Sequence, residues 1–251
     1  MPERTTPLST IILPTYDERE NIVRLIEALK RVITVPLEIL VVDDNSPDGT
    51  SKVVQEYIDA HPRDNVRLET RYTDRGLTNS FNRGIELARG GIICWMDCDF
   101  SHPPEDMAKL INIVASGEVE IAVASRYVKG GQYKSGLKWF GADETAMGVV
   151  LSRFINWFIH VALDHRFHDY TSGFIAIRST VLWSLYPLYG DYGEYFIDLM
   201  YRAIKGGHTF REIPFVSPPR VYGVSKTGTN FRQLSKRGLK YIAMIWRLWR
   251  L

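Results

Sequence analysis

The sequence predicts an α/β protein built on a mostly parallel sheet flanked by helices. Two observations carry this. Over the first 130 residues, short apolar runs rich in β-branched residues alternate with segments whose apolar residues recur at helical spacing. The strand-like runs are apolar nearly throughout rather than alternating, as in strands covered on both faces. Together these imply successive βαβ units in one sheet.

The elements follow in order. Ser9 to Leu13 reads as the first strand, ended by Pro14, and Ile22, Ile26, Leu29 and Ile33 mark a helix after it. Leu37 to Val42 is a second buried strand. Ser46-Pro47-Asp48-Gly49 makes a turn, and Thr50 is placed to cap a helix through Ala60. Asn65 to Arg71 is the third strand, with a helix through Ala88. Gly90-Gly91 precedes the run Ile92 to Met96, which has the composition of a central parallel strand. Glu118 to Ser125 is the next strand. Beyond Gly130 the pattern changes: a long helix over Glu144 to Leu163, a strand at Phe174 to Ile177, a helix over Tyr195 to Lys205 and a strand at Thr209 to Val216.

Composition narrows the function. The chain has 251 residues, 45% hydrophobic and 24% charged, which is average globular usage and excludes disorder and collagen-like repeats. A net charge of +2 without any run of five basic residues argues against a nucleic-acid partner. The longest charge-free stretches, Thr5 to Tyr16 and Ser179 to Gly190, fall short of a spanning helix and contain proline. The N-terminus lacks the basic start and apolar core of a signal peptide. Cys94 and Cys98 lie in a strand-like run, too far apart to bridge. A reducing, cytosolic setting is therefore expected.

In open parallel sheets, ligands sit beyond the carboxyl ends of the strands. Three such ends carry acids here: Asp17-Glu18 after the first strand, Asp43-Asp44 after the second, and Asp97-Cys98-Asp99 after the run at 92–96. Helix capping accounts for the first pair. It accounts poorly for Asp97 and Asp99, because the next helix starts only after Pro103-Pro104. Two carboxylates flanking one residue suit a hard cation, Mg²⁺ or Mn²⁺, which such sites share with substrate phosphates. A nucleoside diphosphate is the expected partner. Neither G-x-G-x-x-G nor G-x-x-x-x-G-K-[ST] follows the first strand, which counts against a dinucleotide dehydrogenase and a P-loop NTPase.

Three blocks now stand out: Pro14-Thr15-Tyr16-Asp17-Glu18-Arg19-Glu20-Asn21, Val42-Asp43-Asp44-Asn45-Ser46-Pro47-Asp48-Gly49-Thr50 and Asp97-Cys98-Asp99-Phe100-Ser101-His102-Pro103. With Ser125-Arg126-Tyr127, Asp169-Tyr170-Thr171-Ser172-Gly173-Phe174 and Arg220-Val221-Tyr222-Gly223-Val224-Ser225-Lys226, they resemble the inverting family 2 glycosyltransferases of GT-A fold. The resemblance is above all to the dolichol-phosphate mannose synthases and their polyprenyl-phosphate relatives. It covers residues 8 to 230 in the right order.

The resemblance implies that Pro14, Tyr16, Glu18, Val42 and Asp44 hold the base and ribose of a nucleotide-sugar donor. It implies that Asp97 and Asp99 bind the metal, that Ser101 adds a ligand, and that Cys98 lines the nucleotide site through its backbone. Arg126, Arg220 and Lys226 would grip the diphosphate and the acceptor phosphate, roles that suit arginine forks and a lysine point charge. It further implies mannose transfer to a polyprenyl phosphate, from GDP-mannose in preference to a UDP-sugar. A lipid phosphate, with a second pKa of ~6, is already an anionic nucleophile, so no strong general base is needed. Transfer to a polysaccharide or protein acceptor, or a catalytically weak nucleotide-sugar-binding subunit, are the alternatives.

The chain departs from the family pattern at three places. Arg75-Gly76-Leu77-Thr78 stands where the family has G-L-G, Ile175 follows the T-S-G-F block in place of arginine, and Tyr195-Phe196-Ile197-Asp198 replaces an aromatic-Gln-x-Glu segment.

Residues 1–230 are thus expected to form the glycosyltransferase domain and residues 231–251 a basic amphipathic C-terminal helix. The latter carries Arg232, Lys236, Arg237, Lys240, Arg247 and Arg250 with Trp246 and Trp249, a composition suited to an anionic bilayer surface. The expected location is the cytosolic face of a membrane, held peripherally or through a membrane-anchored protein partner. His165-Arg166-Phe167-His168 reads as a solvated turn rather than a metal site.

Overall fold

The computed structural model describes residues 7–133, 146–218 and 231–250, with side chains over 7–132, 153–218 and 240–250. Its strands are β1 (Ser9–Thr15), β2 (Leu37–Asp43), β3 (Val66–Thr70), β4 (Ile92–Trp95), β5 (Ile121–Ser125), β6 (Gln132–Tyr133), β7 (Ile175–Arg178), β8 (Phe210–Pro214) and β9 (Val216–Ser217). Its helices are α1 (Arg19–Val32), α2 (Thr50–Ala60), α3 (Leu77–Leu87), α4 (Pro104–Ser116), α5 (Ala146–Ala162), α6 (Ser179–Leu185), α7 (Glu194–Lys205) and α8 (Phe231–Leu248).

Seven strands form one sheet in the order β3-β2-β1-β4-β7-β5-β8, and β6 pairs with β9 apart from it. All neighbours in the large sheet run parallel except β7, which lies antiparallel between β4 and β5. The reversal has a consequence for the site. It turns the start of β7 toward the edge where β1, β2, β4 and β5 end, so Trp95 of β4 faces Ile175 of β7.

Helices cover both faces. Ile22, Leu25, Ile26 and Leu29 of α1 pack with Val54 of α2 and Met107, Leu110 and Ile111 of α4 on one side. Phe81 and Ile85 of α3, Leu182 of α6, Ile197 and Met200 of α7 and Leu248 of α8 pack on the other. Alternate strand residues point to opposite faces, so Ile11 and Leu13 enter the first cluster and Ile12 the second.

The sheet also buries one acid that the sequence reading overlooked. Glu38 of β2 is fully enclosed and accepts from Thr10 Oγ1 (2.6 Å), Arg67 Nη1 (2.8 Å) and the Arg89 N–H (3.0 Å). Burial alone would raise its carboxyl; the three donors outweigh that and hold it below its ordinary value.

Several boundaries differ from expectation. The strand at 92–96 ends at Trp95, so Cys98 lies in the loop beyond it, and both thiols are free. Thr50 is the first residue of α2 rather than its cap, a position taken by Gly49 in the left-handed region at φ 88°. The strand expected over Thr209 to Val216 divides into β8 and β9, and α6 is a helix the sequence reading did not assign.

Candidate active site at the carboxyl edge of the sheet

Five loops meet at one edge of the sheet: those after β1, β2, β4 and β5, and the one before β7. The first two are laced together. Backbone N–H groups of Asp17, Glu18 and Arg19 donate to Ser46 Oγ, Thr50 Oγ1 and Asp48 Oδ2, each at 3.0 Å. Thr50 in turn donates to Asp48 Oδ1 at 2.6 Å.

Asp43 and Asp44 are neighbours with opposite duties. Asp43 is fully buried and accepts from Thr15 Oγ1 (2.8 Å), the Ser46 N–H (2.9 Å) and Ser51 Oγ (2.6 Å), which ties β1 to the turn before α2. Asp44 accepts from Arg71 Nη1 (2.6 Å), Ser80 Oγ (2.9 Å) and the Gly76 N–H (2.7 Å). It anchors the loop between β3 and α3, a task sequence reading did not foresee. Among the other residues expected at the donor, Pro14 is half-buried and Tyr16 is exposed at this edge. Glu18 accepts from Asn21 Nδ2 at 2.9 Å. Val42, expected at the donor as well, is fully enclosed in the core.

Beyond β4, Asp97 is exposed and Asp99 is buried, its Oδ1 accepting the Ser101 N–H at 3.0 Å. The Cys98 thiol points inward and donates to the Pro14 carbonyl at 3.4 Å, which locks this loop to the end of β1. His102 supports the loop from beneath. Its Nδ1 accepts the Asp97 N–H at 3.0 Å, and its ring stacks on Phe174 with centroids 4.5 Å apart. Burial lowers the His102 imidazole, against the pull of Asp97 and Asp99, and an Nδ1 that accepts places the proton on Nε2. The donor set is therefore two carboxylates flanking Cys98 over a neutral imidazole, chemistry that fits a hard divalent cation. Among the described residues no cluster of three His, Cys, Asp or Glu side chains forms a fuller metal cage.

Arg126, expected at the phosphates, follows the end of β5 and pairs with Asp169. Its Nε and Nη2 close on Asp169 Oδ2 and Oδ1 at 2.9 and 2.8 Å, and Nη2 also reaches Thr171 Oγ1 at 3.0 Å. Asp169 is fully buried and accepts the Arg126 N–H as well, at 2.9 Å. The fork thus clamps the loop before β7 onto β5. Tyr195 of α7 lies under the edge, accepting from Trp95 Nε1 at 3.2 Å. Burial raises its hydroxyl well above the ordinary value, with the nearby Asp97 charge adding to the effect. Arg220 and Lys226 lie outside the described residues.

In the stretch 165–168, His165, Arg166 and His168 are exposed while Phe167 is buried in the core. Arg166 pairs with Asp164 at 2.7 Å, and the exposed His168 meets Glu212 at 2.8 Å.

Residues 10–185 match the sequence model of Glycosyl transferase family 2. The chain belongs to that family. It is 35% identical over 236 residues to the polyprenol monophosphomannose synthase of Mycolicibacterium smegmatis, covering 92% of this chain and 85% of the relative. It is 33% identical to the dolichol-phosphate mannosyltransferase of Pyrococcus furiosus, over 95% of this chain but 63% of that longer protein. Among solved structures, glucosyl-3-phosphoglycerate synthase from Mycobacterium tuberculosis, in complex with Mn²⁺, UDP and its product, superposes with a TM-score of 0.70. At 16% identity, 96% of this chain and 80% of that one are aligned. Mannosyl-3-phosphoglycerate synthase from Rubrobacter xylanophilus gives 0.69 at 15% identity, over 97% and 74%. These establish the GT-A fold, and family 2 membership makes the chain a glycosyltransferase.

Proposed function

We propose that this family 2 glycosyltransferase moves mannose from a nucleotide-sugar donor, GDP-mannose in preference to a UDP-sugar, onto a polyprenyl phosphate with inversion. One observation carries the substrate class. Two relatives at 33–35% identity, each aligned over more than nine-tenths of this chain, are named for polyprenol and dolichol phosphate mannose transfer.

In this reading Pro14, Tyr16 and Glu18 lie along the donor nucleoside, and Asp97 and Asp99, with Ser101 beside them, would hold Mg²⁺ or Mn²⁺. The cation supplies charge neutralisation at the departing nucleoside diphosphate. An oxygen of the acceptor phosphate, already anionic at neutral pH, attacks the anomeric carbon opposite the leaving group. The bond from that carbon to the diphosphate breaks, and configuration inverts. No base is required, and His102 suits none: its Nδ1 is engaged with the Asp97 N–H. Its part is to hold the metal-side loop in place. Arg220 and Lys226 are assigned to the phosphates on their motif alone.

A thermal-shift panel tests the donor side. A ligand at 100 times its Kd adds ~2.7 kcal/mol, which raises Tm by roughly 5–10 °C for a chain of this size. GDP with Mn²⁺ or Mg²⁺ is expected to give such a rise, and EDTA to remove it. A rise indifferent to EDTA, or one confined to UDP, contradicts the reading.

Membrane contact is part of the same proposal. Phe154, Trp157 and Val161 of α5 and Ile242 and Trp246 of α8, with Trp249 just beyond it, are all exposed. The two helices are joined by Trp249 Nε1 donating to the Ala162 carbonyl at 2.8 Å. Arg153, Arg247 and Arg250 are exposed alongside. Apolar aromatics fringed by cations suit an anionic bilayer surface. Among the described residues no helix is long and apolar enough to cross a membrane. Flotation with phosphatidylglycerol vesicles is expected to recover more protein than with phosphatidylcholine alone; equal recovery, or none, contradicts the proposal.

A further inference from the structure

Two imidazoles from different elements meet where nothing in the proposed transfer uses them. His160 lies in the last turn of α5 and is half-buried. His168 is exposed in the loop that leads through Asp169 to β7. Their ring centres are 5.3 Å apart, with the planes inclined by 27°.

The same nitrogen is engaged in each ring. His160 Nδ1 is 2.8 Å from the Phe167 carbonyl, and His168 Nδ1 is 2.8 Å from Glu212 Oε2. A carbonyl and a carboxylate only accept, so in each neutral ring Nδ1 carries the proton and Nε2 the lone pair. Neither Nε2 has a hydrogen-bond partner among the described residues. Imidazoles that ligate a metal through one nitrogen are held in this way through the other, which fixes the tautomer and raises the basicity of the ligand. Glu212 is itself fixed, accepting the His168 and Asp169 N–H groups at 2.8 and 3.0 Å.

The spacing fits one shared ion. With metal–nitrogen bonds of about 2.1 Å and tetrahedral angles, two ligating imidazoles have their centres roughly 5 Å apart. A spare oxygen stands one turn before His160 on the same face of α5. Asn156 is 3% exposed, its Nδ2 donates to the His168 carbonyl at 2.5 Å, and its Oδ1 has no partner among the described residues. Two imidazole nitrogens with a neutral oxygen suit Zn²⁺, whereas the carboxylates of Asp97 and Asp99 suit the harder Mg²⁺ or Mn²⁺.

We propose that His160 and His168 bind Zn²⁺, or a transition-metal ion of similar softness, through their Nε2 atoms, with Asn156 Oδ1 and water completing the set. The ion ties α5 to the loop before β7, whose Asp169 holds Arg126. Calorimetric titration with Zn²⁺ tests this, in excess Mg²⁺ so that the carboxylates at 97 and 99 are occupied. The proteins compared are the wild type, His160→Gln, His168→Gln and His165→Gln, the last an exposed histidine of the same loop outside the pair. The wild type is expected to bind one Zn²⁺ and to melt at a higher temperature with it. His160→Gln and His168→Gln are each expected to lose roughly tenfold or more in affinity, since removing even an outer partner of a ligating imidazole costs that much. His165→Gln is expected to match the wild type. A wild type that neither binds Zn²⁺ nor melts higher with it overturns the proposal, as does full binding in either variant of the pair. An equal loss in all three variants overturns it too, because it reports unspecific uptake by surface imidazoles.

Discussion

Asp99→Asn is expected to lower turnover about 10³-fold while leaving the fold intact. Asparagine keeps the shape of the side chain and an oxygen for the Ser101 N–H, which Asp99 Oδ1 now accepts at 3.0 Å. What it removes is half of the negative charge that Asp97 and Asp99 present at the end of β4. A metal at a departing phosphate stabilises the transition state by several kcal/mol, and each 1.36 kcal/mol is a factor of ten in rate. Steady-state rates at saturating Mn²⁺, with melting temperatures of both proteins, check this. A variant within about threefold of wild-type turnover contradicts the assignment of Asp99 to the metal.

The largest effect on stability is expected at Asp169. Its fully buried carboxylate takes three donors from Arg126, whose side chain is only 11% exposed. Asp169→Ala leaves that guanidinium enclosed without its counter-charge. Removing one partner of a buried pair costs roughly 3–5 kcal/mol, or a Tm lowered by roughly 6–20 °C in a chain of this length. Urea unfolding and thermal melts measure it directly. A loss below about 1 kcal/mol shows that Arg126 finds another partner and that the clamp between β5 and the loop before β7 is not a stabilising element. The result also bears on catalysis: the Arg126 fork holds the edge of the site, so activity is expected to fall with the clamp.

The strands that build the site were readable because they are buried on both faces, which leaves nearly unbroken apolar runs such as Ile92 to Trp95. Their order was not. The antiparallel insertion of β7 between β4 and β5 depends on pairings more than 50 residues apart in sequence, which local periodicity does not encode. The acids at the strand ends were readable as a group, yet their division of labour was not. Adjacent residues on a strand point to opposite sides, so Asp43 turns to Thr15 and Ser51 while Asp44 turns to Arg71 and Ser80. The pairing of Arg126 with Asp169 was not readable, because the two lie 43 residues apart in sequence. The D-Y-T-S-G-F block was the available signal for that partner.

The most direct test of mannosyl transfer is a radiolabel assay with GDP-[¹⁴C]mannose, a polyprenyl phosphate in detergent, and Mn²⁺ or Mg²⁺. The expected result is label carried into the organic phase, dependent on both the lipid phosphate and the metal, and absent with UDP-glucose as donor. Label that stays in the aqueous phase on a sugar or protein acceptor, or transfer that persists in EDTA, would contradict it.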